Sequence, residues 1–312
     1  MRTTLAALVI MVVWAGCAST PTPPVQSAPA SGEFAKFVDD YFAARFAALP
    51  SFATRAGVHE HDGELEDLSR GSIEARLASL KGFAARLDAL DKSKMSFDDT
   101  IDAEALKNAI ASEILNLETI RPWENNPMFY ARLPGGSIDG LMKRDFAPAR
   151  DRLRSVIARM KKIPAIYAAA KANLKTPPKE FTEIAIRMTQ GSVRFFDSAV
   201  VGWAREAAGG DAALLAEFTA ADTAVVAAVK DFAAWLDKDL KPRSNGSFVL
   251  GEKLFAELLR DSEMVDMPIA DLLATGEAQL AKDYAAFVAT AKKIDPTKSP
   301  AEVMRLSTSV SR

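Results

Sequence analysis

Five stretches of this chain place large apolar side chains at intervals of three and four residues, and that periodicity restricts the fold more than any other feature. The first runs through Phe34, Phe37, Val38, Tyr41, Phe42 and Phe46. The second takes in Ile73, Leu77, Leu80, Ala84 and Leu87, and the third Leu106, Ala109, Ile110, Ile114 and Leu117. A long stripe follows at Leu214, Phe218, Ala221, Val225, Phe232 and Leu236, and a last one at Ile269, Leu272, Leu273, Leu280, Tyr284 and Phe287. Residues so spaced share one face of an α-helix. A helix with one apolar stripe must bury it against a partner. The expected fold is therefore all-α, a multi-helix bundle or layered helical array. The hydrophobic fraction of 49 % leans on Ala, Leu and Phe, and strand-like runs of Val, Ile and Thr are scarce.

Punctuation follows the stripes. Pro50, Pro122, Pro127, Pro134, Pro164, Pro177-Pro178, Pro242 and Pro268 are read as lying between them or at their edges. Gly135-Gly136 and Gly209-Gly210 are read as turns. Asn245-Gly246 is a tight-turn signal, with Ser247 to Leu250 as a short extended piece beside it. No fixed-period repeat of the solenoid kind is present.

The N-terminus bears on location. Arg2 precedes an uninterrupted apolar run from Leu5 to Trp14, and Ala15-Gly16-Cys17 follows. A basic start, a short apolar segment and small residues before a cut site describe a secretory signal over 1–16. The run falls short of the ~20 apolar residues that a bilayer-spanning helix needs. Cys17 is the only cysteine, so neither an intramolecular disulfide nor a thiol metal site is open to the chain. Its placement resembles a bacterial lipobox, with Trp14 where leucine is usual. The alternative is an ordinary signal peptide that happens to end near a cysteine. On the lipobox reading Cys17 is lipidated, and two or three acyl chains hold the protein on a membrane. The segment 17–32, with Pro21, Pro23, Pro24 and Pro29 among Ser, Thr and Ala, then acts as an extended tether. Loss of Arg2 with the leader leaves 38 basic against 41 acidic side chains, which gives no nucleic-acid footprint. The remaining 33–312 form the helical domain.

Motifs of catalysis are sparse. The two histidines, His59 and His61, stand two apart in Val58-His59-Glu60-His61-Asp62-Gly63. A His-Glu-x-x-His zinc helix needs them four apart on one face. A polar, hydrogen-bonded loop is the plainer account of the pair, and a metal site on them the sharper one. No Gly-x-Ser-x-Gly elbow, catalytic cysteine or phosphate-binding Gly-rich loop occurs. The adjacent acids Asp39-Asp40, Glu66-Asp67 and Asp98-Asp99 read as helix-start dipole partners or solvated surface rather than a catalytic pair. Trp123 to Tyr130 is the densest aromatic and turn cluster. It is either a loop packed by Trp123 and Phe129 or a binding loop, with Asn126 and Tyr130 as ligand-contact candidates.

Several of these pieces resemble, in order, the N-terminal half of the bacterial family called domain of unknown function 885. They are Pro50-x-x-Ala53-Thr54-x-x-Gly57-x-His59 with Asp62 and Asp67-x-Ser69, then Asn126-Pro127-x-x-Tyr130. Pro164, Asn173-Leu174, Phe195-Phe196, Phe248-x-Leu250-Gly251 and Leu258-Leu259 follow. The resemblance implies a mostly helical, exported protein of about twice this length, commonly a lipoprotein, related to zinc metallopeptidases. It also implies a second, C-terminal lobe carrying the His-Glu-x-x-His zinc helix. No histidine follows His61, so no catalytic residue carries over to any position here. This chain then supplies no cofactor site, and zinc is expected only with the missing C-terminal lobe. Its role is one wall of a peptide-binding groove. The ending Ser307-Thr308-Ser309-Val310-Ser311-Arg312 lacks a closing element, which fits a domain incomplete at its C-terminus. The rival expectation is a complete helical binding or scaffold lipoprotein of the cell envelope.

Overall fold

The structure, a computed structural model, describes residues 32–310. Residues 1–31, which include the expected leader, Cys17 and nearly all of the expected tether, lie outside the described residues. The helices in chain order are α1 (Gly32–Ala48), α2 (Pro50–Ala56), α3 (Arg70–Asp88), α4 (Phe97–Leu115), α5 (Pro122–Asn125), α6 (Met128–Lys143) and α7 (Ala149–Met160). Then come α8 (Ile163–Asn173), α9 (Lys179–Arg194), α10 (Val201–Ala208), α11 (Ala212–Trp235), α12 (Glu252–Glu263), α13 (Ile269–Ile294) and α14 (Pro300–Val310). No strand occurs among the described residues, so the array is all-α.

Local chemistry sets the helix ends. Ser96 and Asp99 form a reciprocal capping box at the start of α4, each side chain accepting from the other's backbone N–H at 3.0 and 3.1 Å. Asp211 accepts the Leu214 N–H at 3.0 Å and starts α11. Pro50 opens α2, where a missing N–H costs nothing. Gly209 and Gly210, at φ 56° and 87°, form the expected turn after α10. Three helices pass into π-helical turns, Asn116–Ile120 after α4, Phe195–Val200 after α9 and Leu236–Leu240 after α11.

The core centres on α11, which packs against α7, α8 and α9, while α6 packs against α7 and α9. Leu214, Phe218, Ala221, Val225, Val229 and Phe232 of α11 are all buried. Length and hydropathy alone would let this helix cross a membrane. Its apolar stripe is instead covered by neighbouring helices, as in any core helix. A second group joins α1, α3 and α4, with α12 laid against α4. Phe34, Phe37 and Tyr41 stack in sequence along α1, and Phe83 of α3 meets Phe37 and Tyr41 edge-on.

Four expectations need correction. Pro134-Gly135-Gly136 is not a turn but lies inside α6. Proline costs a helix interior about 3 kcal/mol and glycine about 1. Tyr130, Ile138 and Leu141, each fully buried on one face of α6, offset that at about 2 kcal/mol each. Asp39-Asp40 sits mid-helix in α1 rather than at a helix start, on the solvated side as the alternative had it, and Asp40 pairs with Lys36 and Arg86 at 2.9 and 2.8 Å. Residues 247–250 join no sheet, and Gly246 makes no hairpin. A Cβ on Gly246 would overlap the Thr176 carbonyl oxygen, so glycine is there for close backbone approach. Its N–H donates to the Pro177 carbonyl at 3.2 Å.

The fourth correction is the largest. The last apolar stripe is not buried. On α13, Leu273, Leu280, Tyr284, Phe287 and Ile294 are 62, 69, 64, 38 and 68 % exposed. They fall on one heptad-spaced face. Among the described residues, the seam that α13 makes with α14 buries Ala291 and Val303.

Candidate functional site

The histidine loop follows α2. Thr54 of α2 donates to Asp62 at 2.6 Å, and Asp62 in turn meets His59 Nδ1 at 3.0 Å. The His59 ring stacks on Phe146, centroids 3.7 Å apart. Beneath the loop lies Arg159 of α7, 1 % exposed. Its guanidinium donates to the carbonyls of Glu64 at 2.8 Å, Ser137 at 2.7 Å, Pro50 at 3.2 Å and His61 at 3.4 Å, and to the Thr54 hydroxyl. Burial pulls the Arg159 pKa down, and the nearby Asp62 and Glu66 carboxylates oppose that pull. Arg159 thus fastens α2, the loop and α6 to α7. His59 and His61 serve this loop. Among the described residues no three His, Cys, Asp or Glu side chains converge as a metal-ligand set.

The aromatic cluster is built inward. Trp123 Nε1 donates to the Leu117 carbonyl at 2.9 Å. Tyr130, fully buried, donates to the Trp123 carbonyl at 2.7 Å and accepts from Asn173 Nδ2 at 3.0 Å. Burial pushes the Tyr130 hydroxyl up to about 12. Asn126 accepts the Met128 N–H at 3.0 Å and so opens α6. Tyr130 therefore faces core, and Asn126 holds a helix start. The outer rim is ionic: Arg70 and Arg121 lie over the Trp123 ring at 4.7 and 5.0 Å. Glu124 meets Arg70, Arg121 and Lys175 at 2.8, 2.9 and 2.7 Å. Burial raises its pKa, but the Lys175 and Arg70 hydrogen bonds and the Arg121 charge outweigh that and hold it below the usual carboxylate range.

A concavity of 390 Å³ lies between α2, α3 and α6. Arg55 of α2, Arg76 of α3 and Arg132 of α6 line it with Ser51, Glu66 and Phe129. Glu66, 6 % exposed, accepts from the Ser51 N–H at 3.2 Å and from the Ser51 hydroxyl through Oε1. Its Oε2 is buried with no donor. Arg76 Nε donates to Glu113 at 2.7 Å, and Glu113 also pairs with Arg45. These arginines were missed at the level of sequence, because three isolated residues spread over about eighty positions form no motif. Glu66 was weighed only beside Asp67, whose carboxylate is bound to Ser69 and Ser72. A further acid, Asp222 of α11, has one buried oxygen without a donor. Burial, and secondarily the Asp197 charge, push its carboxyl up to about 6.

Comparison with known proteins places the chain. No curated protein matches it. A solved structure of a candidate lipoprotein of unknown function from Shewanella oneidensis superposes with a TM-score of 0.74 at 26 % identity. The match covers 85 % of this chain and 49 % of that one, so this chain spans about half the length of that relative. The sequence profile described as "Bacterial protein of unknown function (DUF885)" matches residues 50–310. With the all-α array and this match over most of its length, the chain belongs to the DUF885 family of bacterial proteins.

Proposed function

We propose that this chain is the N-terminal helical lobe of an exported, membrane-anchored lipoprotein of metallopeptidase type, and that it has no hydrolytic activity alone. Its α13 face seats a second helical lobe. The observation that carries this reading is the exposed heptad-spaced row Leu273, Leu280, Tyr284, Phe287 and Ile294. Contiguous apolar faces of that kind mark protein contacts, and each such side chain adds about 1.5–3 kcal/mol once covered. The match to only half of the Shewanella oneidensis structure supports an occupant from the rest of the fold. Zinc, where such a fold uses it, belongs to the second lobe. The lipoprotein description of that relative supports Cys17 as the anchor, reached through the 17–32 tether.

Light scattering during thermal unfolding tests the lobe reading. The chain alone should self-associate, and Leu280→Glu with Tyr284→Glu should make it monodisperse. A monodisperse wild type with a cooperative melt overturns the reading in favour of a complete binding or scaffold lipoprotein. Peptide hydrolysis by the chain alone in the presence of a chelator overturns the metallopeptidase assignment. Cys17→Ala should move the protein out of the membrane fraction, and retention there refutes the anchor.

A further inference from the structure

The start of α1 and the connection between α3 and α4 lie side by side. Gly32, Glu33 and Phe34 border a hollow of 270 Å³ whose other wall is Leu90, Asp91, Lys94 and Met95. Phe97 and Ile101 follow directly on that wall, one helical turn apart at the beginning of α4. They are 80 and 55 % exposed, and Phe97 is the most exposed large apolar side chain among the described residues. The capping box of Ser96 and Asp99 fixes this helix start, so a rigid turn presents both side chains to solvent. Gly32 is also where the segment from Cys17 arrives. A chain of that length spans at most about 50 Å, so an acylated Cys17 keeps this part of the body within that distance of a bilayer. Tethering at such a range gives an effective concentration on the order of mM, and a contact too weak to capture the body from solution then forms. Apolar side chains on a helix gain by entering the boundary between headgroups and acyl chains. The exposed amines of Lys92 and Lys94 reach the headgroups beside them. Asp91, Asp98, Asp102 and Glu104 outnumber those two lysines, so the contact is apolar insertion and not attraction to anionic lipid.

We propose that Phe97 and Ile101 form a second membrane contact, an apolar tip that enters the bilayer surface and stands the body on its α3–α4 connection. The inference rests on the lipid anchor proposed above and needs neither a second lobe nor hydrolysis.

Fluorescence quenching by lipid provides the test. The full chain, purified from membranes in mild detergent, is returned to phosphatidylcholine vesicles with or without bromine on the acyl chains. Phe97→Trp adds an indole at the tip, and its emission is the difference from the wild type. Leu280→Trp adds one on the α13 face. Brominated lipid should quench roughly half or more of the emission added by Phe97→Trp and little of that added by Leu280→Trp. Replacing part of the phosphatidylcholine by phosphatidylglycerol should not strengthen the quenching. Flotation with the vesicles reports the anchor separately. A chain that floats with the Phe97→Trp emission untouched, or with Leu280→Trp quenched as strongly, overturns the tip and leaves the anchor standing. Quenching that needs phosphatidylglycerol overturns apolar insertion. A chain that does not float overturns tip and anchor together.

Discussion

Replacing Asp222 by asparagine should stabilise the protein at neutral pH and leave it nearly unchanged in acid. In the folded chain burial, and then the Asp197 charge, hold the Asp222 carboxyl at about 6 against 3.8 for a free side chain. The folded state therefore binds this proton more tightly than the unfolded state. The stability from that difference is complete below about pH 3.8 and is lost as pH rises through about 6. A gap of about two pH units is worth roughly 3 kcal/mol at most. Asp222 is half-buried, and solvent screening brings this to about 1–2 kcal/mol. The amide introduced by Asp222→Asn cannot ionise, so above pH 7 the variant escapes that penalty. Urea melts of both proteins at about pH 3 and about pH 7.5, on either side of the two pKa values, give the comparison, because the remaining titrating groups are shared. The variant should be ahead by about 1–2 kcal/mol at the higher pH and level at the lower. At this chain length 1 kcal/mol corresponds to roughly 2–4 °C in Tm. An advantage equal at both pH values, or a loss confined to neutral pH, refutes the reasoning.

Other outcomes follow from the packing. Arg159→Met leaves four carbonyls and the Thr54 hydroxyl without their donor and the buried Asp62 without its counter-charge. It should lower stability by about 3–5 kcal/mol in a denaturant melt. Tyr130→Phe strips the donor from the Trp123 carbonyl and the acceptor from Asn173, a loss of about 1–3 kcal/mol. It should not change affinity for any ligand, since the hydroxyl faces core. Gly246→Ala forces a Cβ against the Thr176 carbonyl oxygen and should cost more than an ordinary surface change, about 1–3 kcal/mol. A thermal melt within one degree or so of the wild type would show that the 245–247 segment moves away freely.

The periodicity of four stripes and the turn at Gly209-Gly210 were legible because helix geometry and end chemistry act within a few residues. Local rules failed at Pro134-Gly135-Gly136, where burial of one face of α6 outweighs poor helix propensity. They failed again at 245–250, where a close backbone contact from 176–178 decides the geometry. Tyr130 and Asn126 were conspicuous by residue type, yet the structure commits one to the core and the other to a helix start. The cleft went unread because Arg55, Glu66, Arg76 and Arg132 meet only after α2, α3 and α6 have packed.

By itself the sequence determined that the chain is helical and, for five segments, which residues share an apolar face. Those properties depend on residues three or four apart. Only the tertiary structure decided which apolar faces find a partner. The stripe of α11 is covered on several sides, while that of α13, just as clear in the sequence, stays in solvent. Amphipathic spacing states that a face needs covering, but what covers it is settled by contacts between distant segments. The same holds for charge: a buried carboxylate oxygen without a donor is a property of packed helices, not of any run of residues.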